Sequence, residues 1–126
     1  MRRPLALATV IILIGYCLSW QTAVAQQLGT PELDRACRAI ANAKTRSDQD
    51  TGIYCLAWIN GYLDRLNGEQ QIFFKEAEKT ICIPTDVSTG QIQQIFSRYL
   101  EVNPRVYGLP AWAVMDLALR AAFPCQ

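Results

Sequence analysis

Four cysteines place the tightest limit on this fold, because the residues ahead of them predict delivery to an oxidising compartment. Met1-Arg2-Arg3 is a short basic start, Leu5 to Leu18 is almost entirely apolar and uncharged, and Ala23-Val24-Ala25 puts small residues where signal peptidase cuts, before Gln26. The apolar stretch is short for a bilayer span, which takes about 20 residues, and Ser19, Gln21 and Thr22 interrupt its end. Tyr16 stands before Cys17, where lipoprotein processing needs a small residue, and the surroundings of Arg2-Arg3 do not fit twin-arginine export. Residues 1–25 therefore read as a cleaved signal peptide, and residues 26–126 as a single periplasmic domain. Cleavage removes Cys17 and leaves Cys37, Cys55, Cys82 and Cys125, none spaced as C-x-x-C. Two structural disulfides are expected, and a core this small gains from them.

Charge and composition exclude much. Without Arg2 and Arg3, ten basic side chains face eleven acidic ones, a net charge of −1 with no basic run. Nucleic acid is not an expected partner, since phosphate recognition needs clustered positive charge, and after cleavage neither is a membrane. The chain has no histidine, which removes Ser-His-Asp and Cys-His catalysis and histidine metal sites. Asp48 and Asp50 sit in a polar stretch with Ser47 and Gln49, as a solvated loop or helix start does. There is no glycine-rich phosphate loop and no metal-ligand spacing. The chain is expected to be no enzyme and to carry no cofactor and no metal.

Apolar periodicity predicts an all-α fold, a small disulfide-stapled bundle of four to five helices. The first starts with Thr30 as N-cap, Pro31 at the first helical position and Glu32 in the first turn, and runs to about Lys44. Ser47 or Asp48 caps the second, whose stripe is Cys55, Ile59, Tyr62 and Leu66. Gly61 lies within that stretch at a cost of about 1 kcal/mol relative to Ala, which predicts a neighbouring backbone in close approach and no room for a leucine there. Asp64 reads either as a solvated helix residue or as a buried carboxylate. Asn67-Gly68 breaks the pattern, and 70–78 is a further helix or an extension. The third helix opens on the capping box Ser88-Thr89-Gly90-Gln91, carries Ile92, Ile95, Phe96, Tyr99 and Leu100 on one face, and ends at Asn103-Pro104. The fourth starts at Pro110 with Trp112, Met115, Leu119 and Ala122 on one face and Asp116 paired with Arg120 on another.

Four cysteines allow three pairings. If the first two helices form an antiparallel hairpin turning near Arg46, Cys37 and Cys55 lie at similar distances from the turn, while a long helix separates Cys55 from Cys82. This favours Cys37–Cys55 and Cys82–Cys125.

The ordered set Cys55-x-x-Trp58-x-x-Gly61-Tyr62-x-Asp64, Cys82-Ile83-Pro84, Gly90-Gln91, Tyr99-Leu100-x-x-Asn103-Pro104 and Ala118-Leu119-x-x-Ala122-Phe123-Pro124-Cys125 resembles the resistance-associated/Tai family of immunity proteins. The resemblance covers nearly all of residues 26–126. It implies a periplasmic, all-helical, often dimeric protein that binds a peptidoglycan-cleaving amidase effector of type VI secretion and blocks its active-site cleft. Its residues (Trp58, Gly61, Asp64, Pro84, Gln91, Tyr99, Pro104, Phe123 and Pro124 beside the cysteines) read as scaffold, so fold transfers more directly than function. The contact surface is then expected elsewhere, on 67–79, where Phe73 and Phe74 stand beside Glu69, Glu76 and Glu78. The competing reading buries both phenylalanines, and the alternative function is a periplasmic acid-stress chaperone.

Protein recovered from the periplasm should have the intact mass of a chain beginning at Gln26 with four oxidised cysteines. Retention of residues 1–25, a lipid on Cys17, or a Cys55–Cys82 peptide in a non-reducing digest contradicts the reading.

Overall fold

The structure is a computed structural model and describes residues 28–126; the expected signal peptide lies outside the described residues. Four α-helices follow in order: α1 (Thr30–Ala41), α2 (Arg46–Phe73), α3 (Thr89–Val102) and α4 (Ala111–Ala122). Short 3-10 turns cover Glu76–Glu78 and Pro104–Gly108, and no strand occurs among the described residues. The fold is the expected all-α bundle, stapled by Cys37–Cys55 and Cys82–Cys125 as the hairpin geometry favours, each with Cα atoms 5.0 Å apart.

The first two helices show how local capping competes with longer contacts. Gly29, not Thr30, is the N-cap of α1. Thr30 is fully buried, and its hydroxyl donates to the Leu109 carbonyl at 2.5 Å, joining the start of α1 to the approach of α4. Helix α1 ends at Ala41 rather than near Lys44, because the next cap captures the chain. Asp48 Oδ2 accepts from the backbone N–H groups of Lys44 and Thr45 at 3.1 and 3.0 Å, and Thr45 Oγ1 accepts from the Asp48 N–H at 3.1 Å. Thr45 is therefore the N-cap of α2, with Asp48 completing the box instead of capping alone. Those hydrogen bonds hold the Asp48 carboxyl below its ordinary range.

Helices α1 and α2 pack as an antiparallel hairpin. The glycine that this packing needs is Gly52, not Gly61. A Cβ at Gly52 would lie 2.4 Å from the Ile40 Cβ and 2.8 Å from its Cα, whereas nothing lies within 4 Å of one at Gly61. The expected close approach at Gly61 fails because that residue faces away from α1. Asp64 is exposed, and the buried carboxylate belongs to Asp34, at 3% exposure. Asp34 accepts from Arg38 Nε with both oxygens, at 2.9 and 3.0 Å, and from the Tyr107 hydroxyl at 2.8 Å. This hydrogen bond, more than burial, raises the Tyr107 hydroxyl, while the Asp34 carboxylate raises Arg38.

Ile92, Phe96 and Leu100 of α3 meet Leu33, Cys37, Cys55, Ile59 and Tyr62 in the core. The Ser88 capping box forms as expected, with Gln91 Oε1 accepting from the Ser88 N–H at 2.7 Å. Helix α4 buries Ala111, Val114, Met115, Ala118 and Leu119. Its buried face is therefore rotated from the expected one, and Trp112 is 48% exposed. The Ala111 N–H donates to the Leu28 carbonyl, which fixes the start of α4 and turns Trp112 outward.

Gly52→Leu should destabilise the protein at the upper end of the roughly 1–3 kcal/mol typical of overpacking, measured by denaturant unfolding. Gly61→Leu should fold with unchanged helical content; an equal loss in both variants contradicts this packing.

Candidate functional site

The Asn67-Gly68 break does not occur. Helix α2 runs 28 residues, against 12 to 14 for each of the others, which is about 42 Å against about 18–21 Å. Gly68 costs the helix about 1 kcal/mol. The helix is held on either side of it by Leu66 in the core, by an Arg65–Glu69 pair at 2.5 Å, and by Gln70 Nε2 donating to the Ile81 carbonyl at 2.9 Å.

The far end of α2 overshoots the bundle. Phe73 lies seven residues beyond Leu66, about two turns, and so continues the direction of the buried stripe. At that height no partner helix remains to cover it. Ile72 is 74% exposed, Phe73 73% and Phe74 48%, so neither phenylalanine takes the buried place of the competing reading.

The return from this tip is short and pinned. Glu78 Oε2 accepts from the Lys75 N–H at 3.0 Å, and Lys79 is paired with Glu76, which shapes the turn. Ile81, 2% exposed, re-enters the core. Next to it the Cys82 N–H donates to the Phe123 carbonyl at 2.9 Å, Ile81 bridges to Pro124, and Cys82 is bonded to Cys125. Glu69, Phe74 and Glu78 line one cleft of about 140 Å³ with Lys79, Asp116 and Arg120. Of the five expected contact residues, that cleft unites three. Phe73 projects beside it, and Glu76 stands in solvent against Lys79.

Two polar residues of the cleft lining, Asp116 and Arg120, are connected to the core. Tyr62 donates to Asp116 Oδ1 at 3.1 Å, and Arg120 Nε donates to Asp116 Oδ2 at 2.7 Å, which is the expected Asp116–Arg120 pair. Burial, and then the negative charge of Asp116, push the Tyr62 hydroxyl well above its ordinary range. Trp58 stacks on Tyr62 with centroids 5.7 Å apart, and the Arg65 guanidinium lies 5.1 Å over the Tyr62 ring.

The remaining motif residues serve the frame. Gln91 caps α3, Tyr99 and Phe123 pack half-buried against the core, Pro104 opens the 3-10 turn, Pro124 bridges to Ile81, and Pro84 is exposed in the link after Cys82. Sequence reasoning missed a broad apolar groove formed by Leu28, Trp58, Gly61, Tyr62, Arg65 and Trp112. Its signal was present in the spacing of Trp58 and Gly61 on one side of α2. Among the described residues no group of three acidic or cysteine side chains is placed to hold a metal ion, and no helix is long and apolar enough to cross a membrane.

Because the folded state keeps the Tyr62 and Tyr107 protons more tightly than the unfolded chain, it binds more protons above the ordinary tyrosine range. Stability should be unaffected by these groups below about pH 10 and fall as pH rises beyond it. Tyr62→Phe should flatten that fall in melting temperature between about pH 9 and 12; an unchanged slope rules out the Tyr62–Asp116 contribution.

Neither a curated protein nor a solved structure matches the chain. The model of one family, described as Rap1a immunity proteins, matches residues 29–125, from the N-cap of α1 to the last cysteine. That span includes every helix among the described residues, both disulfides and the overshooting tip, so the chain belongs to the Rap1a immunity proteins.

Proposed function

We propose that this protein is a periplasmic immunity protein that binds a peptidoglycan amidase delivered by type VI secretion and covers its active site with the tip of α2. Membership of an immunity family supplies the coarser part, a protein partner that is a secreted effector. The observation that carries the finer part is the apolar tip itself, with Ile72, Phe73 and Phe74 held in solvent. Contiguous exposed apolar groups rimmed by charge mark protein contacts, and aromatic side chains are enriched among the few residues that dominate binding energy. Glu69 and Glu78 line the cleft beside Phe74, and Glu76 lies on the turn that follows it.

The mounting favours binding as much as the side chains do. Gln70–Ile81 and Cys82–Cys125 hold both ends of the turn, so little freedom is lost when the tip enters a cleft. A narrow projection suits the inhibition of an enzyme whose active site is recessed. Blocking requires only occupancy, and the absence of histidine from the chain accords with a protein that works by contact. The resemblance in the scaffold motifs favours an amidase as the target.

Titration of the mature protein against the amidase encoded beside it should show tight binding and loss of amidase activity. Phe73→Ala with Phe74→Ala should weaken binding by about 30-fold or more, as for an aromatic pair worth at least about 2 kcal/mol together at an interface, with the circular dichroism spectrum unchanged. Charge reversal at Glu69, Glu76 and Glu78 should weaken it further. Equal affinity in all variants moves the site away from the tip. If the wild-type protein binds no amidase, the periplasmic chaperone reading replaces the immunity reading.

A further inference from the structure

The two disulfides meet solvent differently. Cys37 and Cys55 are both 0% exposed, in the core with Leu33, Ile59 and Phe96. Cys82 is exposed and Cys125 half-buried. Cys82 also lines an open groove of about 260 Å³ between α2 and the return from the tip, with Asn67, Gln70, Lys79 and Pro84 around it. Lys79 and Glu76, the two charged residues of that lining, are paired with each other. The groove therefore presents no net charge to an incoming thiolate.

Exchange requires a thiolate to reach one sulfur of the bond, and exposed disulfides are the labile ones. The core bond can be reached only after α1 and α2 part, which takes an opening of the core. The exposed bond is also the one that bears on the tip, because it ties the end of the return to the end of α4. What remains at that point after reduction is the Cys82 N–H on the Phe123 carbonyl, the isolated Ile81–Pro124 bridge and the buried Ile81 side chain. Backbone hydrogen bonds beside solvent open readily once a cross-link no longer holds them.

We propose that Cys82–Cys125 is a thiol–disulfide exchange site for a dithiol reductant, and that opening it loosens the turn next to Phe73 and Phe74. One thiolate of the reductant attacks Cys82 Sγ. A mixed disulfide forms, the Cys82–Cys125 bond breaks, and Cys125 leaves as a thiolate that takes up a proton. The second thiolate of the reductant then attacks the reductant's own sulfur in the mixed disulfide. This releases Cys82, which is protonated in turn, and leaves the reductant as a disulfide. Two electrons pass from the dithiol to the protein, and Cys37–Cys55 keeps the helical hairpin closed throughout. The loosened tip has more freedom to lose on entering a cleft, so reduction weakens effector binding. That last consequence rests on the tip being the contact surface; the exchange site does not.

Treatment of the mature protein with dithiothreitol under native conditions, followed by alkylation and peptide mapping, tests the site. Label should reach Cys82 and Cys125 at least about tenfold faster than Cys37 and Cys55. In the partly reduced protein, hydrogen exchange at 75–82 should quicken about tenfold or more, with the amides around Cys37 and Cys55 unchanged. Cys82→Ser with Cys125→Ser should show the same fast exchange without reductant and keep its helical content. A parallel arm uses reduced thioredoxin: faster labelling at equal dithiol concentration assigns the site to a protein reductant, and equal or slower labelling to a small thiol. Affinity for the amidase should fall about tenfold on reduction. Labelling of all four cysteines together overturns the exchange site, and unchanged hydrogen exchange at 75–82 overturns the loosening. Unaltered affinity in a protein whose turn has loosened contradicts the tip as contact surface and leaves the exchange site in place.

Discussion

The clamp between α1 and α2 sets the rest of the molecule. Gly52 lets α2 lie directly against Ile40, and the Cys37–Cys55 bond fixes the two helices in register at that point. With the amino-terminal part of α2 held there, its surplus length projects at the other end. The short helices α3 and α4 then complete the core below Leu66, and beyond it Ile72 and Phe73 stay exposed while Phe74 is only half covered. The exposed phenylalanines are thus a consequence of unequal helix lengths docked at one fixed end. Their own stretch of sequence, read alone, looks like any apolar helical segment.

Polar links then fix the two peripheral connections. Asp34 is buried between α1 and the 3-10 turn of Pro104–Gly108, where Arg38 and Tyr107 satisfy both its oxygens. Thr30 and Leu109 join the same two regions by another hydrogen bond. A carboxylate in that position is costly unless fully partnered, and it is partnered by residues both near and far in sequence. On the other side, Tyr62, Asp116 and Arg120 link the middle of α2 to α4. Each network joins segments that the core's apolar contacts leave loosely specified.

Much of this was legible in the residues, and the failures share a cause. The α3 capping box, its apolar face and the Asp116–Arg120 pair depend on neighbours within two turns, so spacing reveals them. The disulfide pairing followed from the hairpin, because helix rise alone separates Cys55 from Cys82. Gly61 and Trp112 were misplaced, and Asp64 was left open between solvent, where it lies, and the core, because their surroundings depend on which way a helix is rotated against partners far along the chain. Gly52 was overlooked for the same reason: only the position of Ile40 makes it necessary. Thr30 looked like a cap, yet Leu109, 79 residues away, takes its hydroxyl. For the candidate site, the sequence names the segment and its aromatic content, but the exposure of those side chains could not be read, since that depends on where the other helices stop.

The order of the disulfides along the chain has its own consequence for biogenesis. Cys37 pairs with Cys55 and Cys82 with Cys125, so each cysteine is bonded to its immediate neighbour in sequence. A chain threaded through a membrane from its amino terminus presents the first pair complete before the second begins to emerge. An oxidase that joins cysteines in their order of arrival therefore makes the native bonds directly, and no isomerase is needed to exchange them. A nested or interleaved pattern would leave Cys37 waiting beside the wrong partner. In a chain exported in that way, the α1–α2 clamp can close while the carboxyl-terminal half is still in transit.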